Sequence, residues 1–304
     1  MHFRCPENPK DFHEIKEANE SLPWRVFIFI KMAISLGILF GIIAMISWGV
    51  ADFFVAKAVR KGSVFKILLW VQIVIVVSFL LISPWLIKFQ NITLNLIALT
   101  LITAFIGVVS LLAFYKGMQV GYVSIVSPIS SAYAAITVIL SLIFLSEKLT
   151  ALQTIGVSVT ILGAILTAFR FHDILKLRLK NIATGAEYGA VAMIGWGVFF
   201  IFLGILISEW GWFLPILLIK VISVFYLLVY SAAAKKNISF PKQVISFIVA
   251  IGLLEGIGLL FFGLGVTQVY TAIVTPISSA YPMITIILAR IFFKEILEIN
   301  QKKK

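Results

Sequence analysis

The hexapeptide PISSAY is written twice in this chain, at Pro128–Tyr133 and again at Pro276–Tyr281, each time inside a long apolar run. Two copies of one sequence at a fixed distance mark a duplicated unit, and the offset, 276 − 128 = 148, carries outward from them. Residues 126–153 set against 274–301 agree at 16 of 28 positions, among them Thr137/Thr285, Phe144/Phe292, Glu147/Glu295 and Gln153/Gln301. The same offset lays GIIAMISWGV from Gly41 over GAVAMIGWGV from Gly189, with seven of ten positions identical and Trp48 falling on Trp196. One offset holding over both regions means a tandem duplication with little net insertion or deletion.

The duplicated unit belongs in a membrane. Hydrophobic residues make up 61% of the 304 and charged ones 12%, and the mean hydropathy of +1.09 lies far above what a water-soluble globule needs. The net charge of +12 could suggest nucleic acid, but a nucleic-acid binder gathers its basic residues on one face of a soluble domain. Here they stand between the apolar runs, so no nucleic-acid partner is expected. Cys5 is the single cysteine and His2, His13 and His172 all lie outside the runs, so neither a disulfide nor a metal site is expected. No G-x-x-x-x-G-K-[ST] loop occurs, and the sequence calls for no cofactor.

A bilayer core takes about 20 apolar residues in a helix. Nine runs qualify, near 33–55, 65–87, 94–115, 123–145, 151–169, 184–207, 211–232, 243–264 and 270–293. Lys57, Arg60, Lys61 and Lys66 follow the first run, Arg170, Lys176, Arg178 and Lys180 the fifth, and Lys235, Lys236 and Lys242 the seventh. These loops fall on one side of the membrane, which the positive-inside rule makes cytoplasmic. The expectation is a multi-pass protein of the plasma membrane with its C-terminus, Lys294 and Lys302–Lys304, in the cytoplasm.

Each unit of the repeat holds five helices. An odd number of crossings brings the second copy into the membrane from the opposite side, which gives inverted repeats. The expected fold is thus an all-α integral membrane protein of two inverted five-helix repeats, with nine of ten helices present. Residues 32–169 form the first repeat, 170–183 a cytoplasmic linker and 184–304 the second repeat. The counterpart of Ala151–Phe169 would begin at Ile299, so the repeat implies truncation by a frameshift or early stop, with a nine-helix variant as the alternative. Residues 1–31, with five basic and five acidic side chains, read either as a soluble tail or as a leader preceding a true start at Met32.

Two five-helix units, each with SWG or GWG in the first helix, P-x-x-x-A-Y in the fourth and Glu-x-Leu just after it, resemble the EamA-type transporters of the drug/metabolite transporter superfamily. ADFFVAKAVRK after Trp48 resembles the prokaryotic branch. The resemblance covers residues 32–301 and implies a carrier of small metabolites. Members of the family are described with both termini cytoplasmic, whereas the charge count here places Met32 outside.

Several residues are candidates for a solute pathway. Pro128 and Pro276 lack an N–H and free the carbonyls of Ser124 and Ala272. Ser130, Ser131, Tyr133 and their copies Ser278, Ser279, Tyr281 then offer hydroxyls, unless the serines serve only as small-residue helix packing. Lys220 and Glu255 stand near the middle of their runs, where a charge costs at least about 2.5–3.5 kcal/mol, and the offset puts Gln72 opposite Lys220. They are read as a polar site at the midplane in which Glu255 exchanges a proton, or as a structural ion pair. Trp48 and Trp196 are read as cavity wall or packing, Asp52 and Glu187 as interfacial anchors, and Glu147 and Glu295 as helix ends.

The expected function is a secondary transporter that moves a small polar or amphipathic solute by alternating access, with proton coupling. A lipid or polyprenyl-carrier flippase on the same fold, or a non-functional truncated transporter, is the alternative. An intramembrane enzyme would need paired acids or a histidine cluster, which the sequence lacks. The partners expected are a small-molecule solute and the lipid bilayer, and the sequence is silent on oligomeric state.

Overall fold

A computed structural model of the chain describes residues 24–87, 93–168 and 179–293. The readings made for the linker, for Glu295 and Gln301 and for the terminal lysines fall wholly or mainly outside that range, as does most of the 1–31 leader. The described residues form helices α1 (Trp24–Val59), α2 (Val64–Leu86), α3 (Leu94–Val120), α4 (Val123–Ser131), α5 (Tyr133–Phe144) and α6 (Ala151–Ala168). These are followed by α7 (Leu179–Trp210), α8 (Phe213–Ala233), α9 (Ile245–Gln268), α10 (Thr271–Ser279) and α11 (Pro282–Phe293). With α4–α5 and α10–α11 each counted as one crossing, eight described segments are long and apolar enough to span a bilayer. The ninth expected span is α6, 18 residues long.

The duplication is visible in how the helices pack. α1 packs along α9 and its counterpart α7 along α3; α2 meets α9 as α8 meets α3; α10 meets α5 as α4 meets α11. α2 and α8, which are each other's counterpart, also pack together. Such reciprocity requires a two-fold relation between the halves, with its axis passing between α2 and α8.

The PISSAY segments break their helices, but not at the proline. α4 runs on through Pro128 and stops at Ser131; Ala132 holds the corner, and Ala135 N–H bonds to the Ala132 carbonyl at 3.1 Å. In the second copy α10 passes Pro276 and stops at Ser279, with Met283 N–H on the Ala280 carbonyl at 3.1 Å. Tightening at the corner leaves nearby carbonyls short of helical donors, and hydrocarbon offers no water to satisfy them. The serines fill that need: Ser130, Ser131, Ser278 and Ser279 each donate to the carbonyl three residues earlier, at 2.8, 2.9, 3.0 and 2.8 Å. Small polar residues recur here because the helix break needs donors that add little bulk.

The two Trp-Gly motifs explain how the halves approach. A Cβ on Gly49 would lie 2.7 Å from both the Ile284 Cβ and the Tyr281 carbonyl oxygen, and one on Gly197 would lie 2.6 Å from the Ile136 side chain. Gly49 and Gly197 correspond under the offset, as do Ile284 and Ile136. Thr285 donates its hydroxyl to the Gly49 carbonyl at 3.0 Å, and Thr137 to that of Gly197 at 3.1 Å. Glycine therefore brings the first helix of each half against the broken helix of the other.

Ends and turns follow local rules. Gly211, with φ +73°, closes α7 by bonding its N–H to the Ile207 carbonyl at 2.9 Å, a left-handed cap that favours glycine. A capping box opens α6: Thr150 N–H donates to Gln153 Oε1 at 2.8 Å and Gln153 N–H to Thr150 Oγ1 at 3.3 Å. Glu147 does more than mark a helix end. Its carboxylate accepts the N–H groups of Thr271 and Ala272 at 2.8 and 2.9 Å, so a loop of the first half caps α10 of the second. Burial lifts this carboxyl above its ordinary range, and the two N–H groups oppose that rise.

Two predictions follow from these contacts. Gly49→Ala lowers the melting temperature of the detergent-purified protein more than Gly197→Ala does, because at Gly49 the new methyl meets a backbone oxygen as well as a side chain. Equal shifts would contradict this. A carboxyl raised on folding binds its proton more tightly in the folded chain, so stability falls as pH rises from the ordinary carboxylate range through the folded value. Melting measured against pH should show a shallower fall in Glu147→Gln than in wild type over that window.

Candidate functional site

Where the halves meet, a cavity with about 680 Å³ of atom-free space, including space open to the outside, lies among α1, α3, α5, α7, α8, α9 and the turn that precedes α11. Its walls are largely aromatic. Trp48 and Phe262 approach at 5.9 Å between ring centres, and their counterparts Trp196 and Phe114 at 4.9 Å. Tyr133 lies nearly parallel on Phe200, at 4.8 Å and 19°. Trp48, Trp196, Phe114, Phe200 and Tyr133 all line the space, and Tyr281 reaches it from the turn between α10 and α11.

The polar groups concentrate on one side. Lys220, 6% exposed, donates from Nζ to Gln72 Oε1 at 3.1 Å, which joins α8 to α2 at equivalent positions of the two repeats. Glu255, 8% exposed, accepts the Tyr115 hydroxyl on Oε1 at 2.7 Å. Lys220 and Glu255 lie close enough to attract one another. Their hydrogen bonds, however, go to neutral partners, Gln72 and Tyr115, rather than to each other. Ser223, one turn from Lys220, adds a hydroxyl to the wall.

The candidates drawn from sequence divide by position. Trp48, Trp196, Tyr133, Tyr281, Lys220 and Glu255 come together around one cavity, and Gln72 supports Lys220 from behind the wall. Pro128, Ser130, Ser131, Pro276, Ser278 and Ser279 lie instead at the buried helix breaks, off the cavity wall, with the serine hydroxyls bonded to backbone. Ser130 also reaches Tyr281, with oxygen to oxygen at 3.0 Å, and so orients a ring that does line the cavity. The counterpart Tyr133 faces Ser278 without the geometry of a hydrogen bond.

Two acids read as interfacial anchors part company. Glu187 is exposed, whereas Asp52 is buried and lines the cavity. The Lys57 ammonium lies over the Phe53 and Phe292 rings at 4.3 and 4.8 Å. Tyr115 was not among the sequence candidates, since a tyrosine within an apolar run carries no mark of its partner. A signal for the polar side did exist in the repeat. Under the offset Glu255 falls on Gly107, Tyr115 on Gly263 and Asp52 on Phe200, so each polar group replaces a glycine or a ring.

Comparison with known proteins agrees with this arrangement. The profile of the EamA-like transporter family matches residues 35–169 and again 183–302, one match in each half. An uncharacterized protein of Methanocaldococcus jannaschii is 35% identical over 132 residues, which are 42% of this chain and 93% of that protein. A relative covered almost entirely by so short a match has about the size of one repeat. With the family profile matched over both halves of a helical membrane bundle, the chain belongs to the EamA-like transporter family.

Proposed function

We propose that the protein is a secondary transporter that carries a small polar or amphipathic metabolite through the central cavity by alternating access, with Glu255 exchanging a proton. The observation that carries this reading is the meeting of Lys220, Glu255, Tyr115 and Gln72 at the seam of two reciprocal halves, beside an aromatic-walled cavity. Ionisable side chains within the membrane usually mark a pathway or a proton relay. Gaining or losing a proton at Glu255 changes the charge facing Lys220 by one, which alters the attraction that holds α8 near α9. The breaks at Ala132 and Ala280 give the two helix pairs α4–α5 and α10–α11 places to bend while the remaining helices hold their packing.

Vesicles reconstituted with the protein, given a pH gradient and bathed in mixed metabolites, should accumulate at least one small solute, read by mass spectrometry of the lumen. Glu255→Gln keeps the hydrogen bond from Tyr115 but cannot ionise, so it should lose the pH-driven part of this accumulation while melting near the wild-type temperature. An unchanged dependence on the pH gradient in Glu255→Gln would remove Glu255 as the proton site.

A further inference from the structure

The cavity holds a second carboxylate that the proton site does not use. Asp52 stands one turn beyond Trp48 on α1, is 8% exposed, and its Oδ2 has no hydrogen-bond partner among the described residues. Leaving a buried carboxylate oxygen unpaired is costly, and the repeat shows that the fold does not require it. The counterpart of Asp52 is Phe200, whose ring stacks on Tyr133. One half thus places an apolar ring where the other places an acid.

Resting on the transporter reading, we infer that Asp52 is the anchor for the ammonium group of an organic amine bearing an apolar or aromatic body. Among the described residues, Asp52 and Glu255 are the carboxylates on the cavity wall, and Lys220, beside Glu255, is the one cation on it. While Glu255 is ionised, a monocation balances this count, whereas an anion meets two carboxylates and a neutral solute leaves Asp52 uncompensated. The same ligand suits the walls, because Trp48, Trp196, Phe200, Tyr133 and Tyr281 offer ring faces that attract a cation and cover an apolar body. The ammonium donates hydrogen bonds to the carboxylate, and the rest of the molecule lies against the rings.

The test uses the full chain in detergent, with benzylammonium as probe and benzyl alcohol and benzoate as its neutral and anionic isosteres, and binding is read by calorimetry. Benzylammonium should bind wild type, and the alcohol and benzoate should bind at least about thirtyfold more weakly, as expected when a buried charge loses its partner. Asp52→Asn should lose affinity for benzylammonium by a similar factor. Asp52→Phe should lose it too while melting no lower than wild type, because it copies the residue of the second repeat. Failure of wild type to bind benzylammonium, equal affinity for the alcohol, or full affinity in either variant would overturn the inference. Uptake of a neutral or anionic solute into vesicles regardless of Asp52 would also overturn it and leave the transporter reading intact. Asp52-dependent binding with no flux of any solute would contradict the transporter reading instead.

Discussion

The hydrogen bond between Lys220 and Gln72 carries the logic of the whole molecule. Hydrocarbon does not hydrate polar groups, so a side chain that must remain polar there has to find its partner within the protein. An inverted duplication supplies partners cheaply: whatever one half needs, the other can present from the equivalent position. The two residues of this bond are separated by the repeat offset itself, which places it at the axis of the molecule, where a residue meets its own counterpart.

The same principle recurs away from the axis. Thr137 serves Gly197 as Thr285 serves Gly49, and Phe114 packs on Trp196 as Phe262 packs on Trp48. These paired contacts make a symmetric scaffold that is locked by small residues and satisfied hydroxyls. The candidate site appears where the symmetry fails. Glu255 replaces a glycine, Asp52 a phenylalanine and Lys220 a glutamine, and all three departures border one cavity. Function in a duplicated chain can thus be sought in the differences between copies, once their likeness has accounted for the fold.

Much of the fold was legible because hydropathy and an exact offset are strong signals. Both can be read without knowing which faces of the helices meet. Most of the span limits and the depth of Lys220 and Glu255 followed from them. What could not be read depends on lateral packing. Most spanning helices carry apolar residues around their whole circumference, so periodicity does not tell which face is inward, and Tyr115 gave no sign that it would meet Glu255 across 140 positions of sequence. The prolines announce their missing N–H in the sequence, but the corners at Ala132 and Ala280 lie among helices packed across the halves, α5 on α10 and α4 on α11, and no local signal marks them. Glu147 looked like a helix end for the same reason: the helix it caps belongs to the other half.

The PISSAY repeat therefore serves two ends. Its serines keep a broken helix satisfied in hydrocarbon, and its tyrosines reach the cavity from opposite halves. The central claim is that the two halves are interchangeable about an axis through α2 and α8, and exchange of the axial pair tests it most directly. In the double variant Gln72→Lys with Lys220→Gln, the ammonium and the amide trade helices but keep their place at the axis. The measurement is the melting temperature of the purified double variant beside that of Lys220→Gln alone. The account predicts that the single variant, which leaves Glu255 without its nearby cation, is clearly destabilised and that the swap recovers most of the loss. A double variant as unstable as the single one, or less stable, would contradict it.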